Sequence, residues 1–416
     1  MSKRQRWQPV KGYAGRVYET RERALLRLVD LPALFLRRRL RAVVAAAPLD
    51  PARIRRVLVL RLDRLGDLIM SLPALHELRC ALPEAHIALA VGRWCEAIAE
   101  RAPVDEILRW SAPWVGRRRE GRTSVLALVR AARALRQQPP DLAIDLQGDV
   151  RATLLMALTG ARHRVGYVNT GGGWMLTHAV PLDETVSWVD QNRLAVQYAL
   201  ASLPALAPSS GLLLRDEDRE CGLRLLRKRL GGLPRPLVGV HPSGGRLVKQ
   251  WDPARWRAVA ERLVHELGAA IVVTGSQADR PLAASVLEGL SGVTVDLAGA
   301  LDVRETLAVI SVLDLFLSAD TGPMHMACAV GTPSVSVFGP SDPQRYFSAP
   351  AGEKGERHVV VRADLWCAPC NLIRRPPDEC AGPMPPECLR LVSVEEVAAR
   401  AAALLRQGGF VARAGR

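Results

Sequence analysis

From Arg55 onward the chain repeats one rhythm: a short, continuous apolar run, then a helix-length stretch, then another apolar run. Arg55–Asp63, His86–Gly92, Ile107–Trp110 and Asp141–Gly148 read as strands, with helices at Gly66–Leu82 and Thr123–Leu135. Near residues 201–216 the text becomes ASLPALAPSSGLLLRD, which has no sustained period and reads as a linker. A helix over Asp216–Leu230 follows, and the rhythm starts again. Strands are expected at Pro236–Pro242, Ala269–Ser276, Val293–Gly299, Leu313–Asp320 and Ser334–Pro340, with helices at Pro253–Leu267, Ala278–Leu290, Val303–Val312 and Pro323–Val330. Strands that are apolar throughout are covered on both faces, and their alternation with helices demands parallel crossovers. The sequence therefore predicts an α/β protein of two doubly wound, Rossmann-like halves facing a cleft, because such sheets bind ligands at the carboxyl ends of their strands.

The expected division is a basic extension over 1–53, an acceptor-side half over 54–205, and a linker with its connecting helix over 206–235. A nucleotide-binding half over 236–392 carries a four-cysteine loop at 366–390, and a C-terminal helix and tail occupy 393–416. A chain of 416 residues is long enough for two cores. The formal charge of +15 is concentrated in residues 1–56, where fifteen Lys or Arg meet only four Asp or Glu. Between Ala24 and Ala47 leucines and arginines interleave, a pattern that either lies on an anionic inner-membrane surface or packs as a solvated helical extension. It has no nucleic-acid motif and little aromatic interleaving, so nucleic acid is not an expected partner. No run of about 18 apolar residues is present, and the N-terminus lacks a signal-peptide pattern, which points to a cytoplasmic protein, peripheral on the membrane.

Four post-strand loops carry the chemistry. In RLDRLGDL, Gly66 permits a tight turn and Asp67 opens a helix, where it is either a functional carboxylate or an ordinary cap. In HPSGGRLVKQWDP, Ser243, Gly244 and Gly245 offer a hydroxyl and open backbone N–H groups, as a phosphate cradle does. Lys249 follows; only five lysines occur among 57 basic residues, so one inside this loop stands out, as a compact cation for a diphosphate or as a surface residue. In TGSQADR, Asp279 is a ribose acceptor or a first-turn carboxylate. In LSADTGPMH, Asp320 ends a strand, Thr321 and Gly322 turn, and the helix start offers N–H groups to an anion, with His325 one turn in, either near phosphate or simply packed.

The series VLVLRLDRLGDLIMSLPAL, DLAIDLQGDVRATLLMALTGARHRVGY, VGVHPSGGRLVKQWDPARW and SADTGPMHMACAVGTPSVSVFGPSDPQRY resembles the lipopolysaccharide heptosyltransferases, glycosyltransferase family 9, over about residues 54–350. The resemblance implies the GT-B fold and inverting transfer of a heptose from ADP-heptose to a lipopolysaccharide core or lipid A–Kdo acceptor, an anionic glycolipid, with no cofactor needed for catalysis. By position, Asp67 then matches the general base and Lys249 the donor-phosphate lysine. Asp320, Thr321 and Gly322 match the donor loop, and His325 the histidine beside it. A protein acceptor, or a nucleotide-sugar-binding protein without catalysis, is the alternative.

Cys367, Cys370, Cys380 and Cys388 are spaced C-x2-C-x9-C-x7-C in a proline-rich segment. A C-x2-C pair can begin a tetrahedral thiolate site, so a structural Zn²⁺ or Fe site stands beside free thiols and disulfides as readings.

Overall fold

The computed structural model describes residues 49–115, 123–167, 170–183, 185–200, 211–350, 353–373, 376–382 and 385–411. The basic extension expected over 1–53 falls almost entirely outside these residues, as do residues 201–210 of the expected linker.

Six strands form the first sheet: β1 (Arg56–Arg61), β2 (His86–Val91), β3 (Glu106–Arg109), β4 (Leu142–Asp145), β5 (His163–Tyr167) and β6 (His178–Val180). Six form the second: β7 (Leu237–His241), β8 (Ala270–Val273), β9 (Thr294–Asp296), β10 (Leu315–Ala319), β11 (Ser334–Phe338) and β12 (His358–Arg362). The orders are β3-β2-β1-β4-β5-β6 and β9-β8-β7-β10-β11-β12, so the halves share one topology. Every strand pair is parallel. In each sheet the strand order reverses once, between β1 and β4 and between β7 and β10. That reversal opens a crevice at the carboxyl ends of the strands.

Apolar runs become these strands because both faces are covered. Along β1, Val57 and Val59 enter one core cluster while Leu58 and Leu60 enter another. Successive side chains thus point to opposite faces, and both are buried. The helices with clear ends match the expectation to the residue. Asp216–Leu230 has three acids in its first turn, Arg227, Lys228 and Arg229 in its last, and Gly231 at φ +68° after it. Pro253–Leu267 is capped by Asp252, which accepts from the Ala254 N–H at 2.9 Å.

One expected helix is two. Gly66–Leu82 is divided into Leu65–Ile69 and Leu72–Ala81. Pro73 has no N–H to continue the ladder from the first helix, and it fits instead in the first turn of the second. The sequence reading also passed over β5, β6 and β12 and the helices Val150–Leu158 and Trp188–Ala199.

The halves are joined by polar clamps as well as apolar packing. Arg101, behind the first sheet, makes a two-pronged bond to Asp218 of the connecting helix at 3.0 and 2.6 Å, with both side chains buried. Gly222 on that helix crosses so near the Val303–Ile310 helix that a Cβ would lie 2.2 Å from the Ala308 carbonyl oxygen. On the other side, Arg345 donates to the Asp183 and Val186 carbonyls at 2.8 Å each and lies over the Trp188 ring.

Candidate functional site

The two crevices face each other. In the first half, β1 ends at Arg61 and the chain turns into the Leu65–Ile69 helix, which places Asp67 in that helix's first turn. The Asp67 Oδ2 accepts the Arg64 N–H at 3.3 Å, so the carboxylate does cap its helix. It is also 31% exposed, and its charge reaches His325 of the second half. Gly66 makes that approach feasible, because a Cβ there would lie 2.6 Å from His325 Cδ2. Leu65 similarly lies against Gly322.

Around Asp67 the sheet end is crowded with carboxyls. Asp145, at the end of β4, is buried, which pushes its pKa up to about 7 even though the Gln147 and Gly148 N–H groups bond to it at 2.9 and 3.2 Å. Burial likewise raises Asp63, helped by the nearby Asp67 and opposed by Arg61. Like charges in one poorly solvated pocket cannot all be carried, so the deeper carboxyls hold their protons more tightly.

In the second half the loops after β7 and β10 meet across the strand-order reversal. Lys249 Nζ sits 2.8 Å from Asp320 Oδ2. Burial opposes the Asp320 charge, but Lys249, His325 and a bond from Ser341 outweigh it and hold the carboxyl below its ordinary range. An ammonium has three N–H donors, so the pairing fixes Lys249 and leaves others for a ligand. Gly244 is needed for close approach: a Cβ would fall 2.5 Å from the Gln250 nitrogen. Thr321 precedes the Gly322–Val330 helix without capping it through its side chain, which leaves the first turn's N–H groups uncapped on that side.

His325 is buried and its Nδ1 is 2.8 Å from Ser348 Oγ. Burial pushes it down to about 4, against the pull of Asp320 and Asp67, so at neutral pH it is an uncharged imidazole. Asp279 is engaged locally: its Oδ2 accepts from Ser276 N at 2.8 Å and Ser276 Oγ at 2.6 Å, and it also bonds Ser243. It thereby braces the Ser243 loop.

Asp67, Lys249, Asp320 and His325 thus form one electrostatic group spanning the two halves, while Ser243 and Asp279 form a second, within the second half. The sequence reading missed Arg61, Asp63, Asp145 and Ser348. No disulfide joins the four cysteines. They affect one another, and burial with the neighbouring thiols pushes Cys388 up to about 12. Among the described residues, however, no group of three or more His, Cys, Asp or Glu is arranged to hold a metal ion, so the metal expectation gains no geometric support. What the segment does is brace the loops after β7 and β11. Asn371 N–H donates to Pro340 O at 2.8 Å, its Oδ1 accepts from Asp342 N at 2.8 Å, and Leu389 O accepts from Trp251 Nε1 at 3.1 Å.

The chain matches the family model described as glycosyltransferase family 9 (heptosyltransferase) over residues 128–378. It is 29% identical to lipopolysaccharide heptosyltransferase 1 of Pseudomonas aeruginosa over 76% of this chain and 86% of that protein. It is 24% identical to lipooligosaccharide heptosyltransferase 2 of Haemophilus influenzae over 74% of this chain and 90% of that one. The fold is that of the solved E. coli ADP-heptose lps heptosyltransferase II, with a TM-score of 0.67 at 21% identity, covering 85% of this chain and 99% of that one.

Proposed function

Because the chain belongs to glycosyltransferase family 9, the heptosyltransferases, and is a glycosyltransferase of GT-B fold, we propose that it moves a heptose from ADP-heptose onto a hydroxyl of a lipopolysaccharide-core acceptor, with inversion. The observation that carries this reading is the opposition of two strand-order crevices. One presents the Lys249–Asp320 pair and an uncapped helix start, and the other presents Asp67 across from them. A phosphate-binding end and a carboxylate facing it across a narrow cleft are what a displacement at a sugar carbon requires. The names of the relatives supply the sugar and the acceptor class.

Asp67 accepts the proton of the acceptor hydroxyl as that oxygen bonds to the anomeric carbon. The bond from that carbon to the diphosphate oxygen breaks, and its electron pair leaves with ADP. Positioned general-base help is typically worth about 10²–10⁴-fold. Lys249, the Ser243–Gly245 loop and the Asp320–Thr321–Gly322 turn hold the leaving diphosphate, where removing one preorganised donor costs roughly 10²–10³-fold. Asp279 acts through the Ser243 loop that it braces. Neutral His325 adds a hydrogen-bonding group rather than a charge. No group other than the chain's own residues is needed in this scheme.

With a glycolipid acceptor, the proposed reaction takes place at the cytoplasmic face of the inner membrane. Exposed Val125, Leu126 and Leu154 on adjacent helices of the acceptor half, beside exposed Arg130 and Arg133, support contact with an anionic surface. Among the described residues no helix is long and apolar enough to cross a membrane.

The test of the base is Asp67→Asn. Turnover is expected to drop at least about 10²-fold while ADP affinity, measured by calorimetry, stays the same. Near-normal turnover removes Asp67 from the mechanism. Mass analysis of lipopolysaccharide from a deletion strain tests the acceptor, since an unaltered core refutes it.

A further inference from the structure

Arg61 ends β1 with its side chain only 2% exposed, an unusual place for a cation. A guanidinium is expensive to bury unless its donors are matched. Here they are matched to the segment that carries Asp67. Arg61 Nε donates to the main-chain carbonyl of Asp67 at 3.0 Å and pairs with Asp63 Oδ1 at 3.1 Å. One terminal nitrogen donates to the Leu146 carbonyl just past β4, and the other lies 3.9 Å from Asp67 Oδ1. Two neighbours stiffen the same frame: Ser71 Oγ donates to the Asp67 carbonyl at 2.9 Å, and Trp94 Nε1 donates to the Asp63 carbonyl at 2.6 Å.

One planar fork therefore joins three pieces of the crevice: the loop after β1, the first turn of the Leu65–Ile69 helix, and the end of β4. That helix is only five residues long, and a helix so short does not hold its own geometry. Something outside it must set where Asp67 points, and Arg61 is the side chain attached to both its backbone and its surroundings.

We propose that Arg61 is a positioning residue for the transfer reaction, acting through Asp67 by fixing the turn that aims its carboxylate at the acceptor hydroxyl. The inference rests on the reading of Asp67 as the base. Lysine cannot replace Arg61 fully, because a single ammonium cannot span the Asp67 carbonyl, Asp63 and Leu146 with a fixed fork. Misplacement of a reacting group by about 1 Å is enough to cost roughly 10²-fold.

The experiment is a cycle of Arg61→Met, Asp67→Asn and the double variant in the full-length chain. Turnover with ADP-heptose and acceptor is followed by ADP release, and ADP affinity by calorimetry. Methionine keeps much of the buried volume without the charge. Arg61→Met is expected to lower kcat by about 10²-fold with ADP affinity unchanged, and Arg61→Lys to fall between it and the wild type. The double variant is expected to be no slower than Asp67→Asn alone, since an aiming device has nothing left to aim. Two results overturn the proposal: Arg61→Met turning over within about threefold of wild type, or a double variant slower than Asp67→Asn by the full Arg61→Met factor, as a general structural role would give. If Arg61→Met does not fold, the cycle is run with Arg61→Lys and judged by the same non-additivity. An Asp67→Asn variant of normal activity refutes the base reading itself, whereas a crippled Asp67→Asn beside a normal Arg61→Met refutes only the role of Arg61.

Discussion

Asp320 accepts Lys249 at 2.8 Å in a pocket that buries the carboxylate and leaves the lysine only partly exposed, so the carboxylate needs its partner whether or not a donor is bound. Lys249→Ala would therefore combine a lost ligand contact with an abandoned buried carboxylate. The cleaner comparison is Lys249→Met with Asp320→Asn, which removes both charges at once. It should melt near the wild type yet bind ADP at least about tenfold more weakly, since a charge-assisted hydrogen bond is worth roughly 1.5–3 kcal/mol. Wild-type ADP affinity by calorimetry in that double variant would return Lys249 to a structural role. Lys249 was legible in the sequence because lysine is scarce in this chain. Arg61 was not, because one arginine among so many carries no mark of burial. The dual place of Asp67, at once a cap and across from His325, was legible only as two competing readings, since a sequence shows the turn but not what faces it.

Elements were legible where their ends are chemically marked. Asp216–Leu230 and Pro253–Leu267 begin with acids or Asp-Pro and end at glycines with positive φ, so their limits could be read directly. The Leu65–Ile69 helix was hidden within a longer apolar pattern, and β6, three residues long, offers too little period to detect. The braces on the loops after β7 and β11 were illegible for a different reason. Asn371 reaches Pro340 and Asp342 across some thirty residues, from a proline-rich loop that has no pattern of its own. The meeting of the Leu65–Ile69 and Gly322–Val330 helices yields a prediction. With His325 Cδ2 2.6 Å from where a Cβ would sit, Gly66→Ala must push the halves apart or turn the imidazole. Turnover should fall at least about tenfold while ADP affinity holds, because the loops proposed to hold the diphosphate belong to the other half. His325→Ala in the same chain should recover part of the loss by clearing space. Equal kcat values for Gly66→Ala and the wild type would show that the two helices need not approach this closely during the reaction.

Across the whole molecule the buried titrating groups are divided unevenly, and this bears on how the enzyme responds to acid. His241, His325 and His358 all lie in the second half, each carried below the ordinary 6.5 chiefly by burial, the first two to about 4. A histidine with a lowered folded-state pKa binds fewer protons folded than unfolded, so its contribution to stability is present above pH 6.5 and is lost as pH falls toward 4. The first half carries the opposite case. Asp145, raised to about 7, and Asp63, also raised, hold protons in the folded state that the unfolded chain releases above about 3.8. Their contribution therefore grows as pH falls through 7, offsetting His163, a partly buried histidine there whose pKa is lowered. The carboxyls whose pKa values are lowered, Asp320 and Asp279 among them, act below this window. Acid between pH 6.5 and 4 should thus loosen the second half before the first. Hydrogen exchange, corrected for the intrinsic pH dependence of the rate, would report it. On going from pH 7.5 to 5, peptides from β7, β10 and β12 should lose protection while those from β1 and β4 keep theirs. The division is wrong if both sheets open together, or if the β1 and β4 peptides open first.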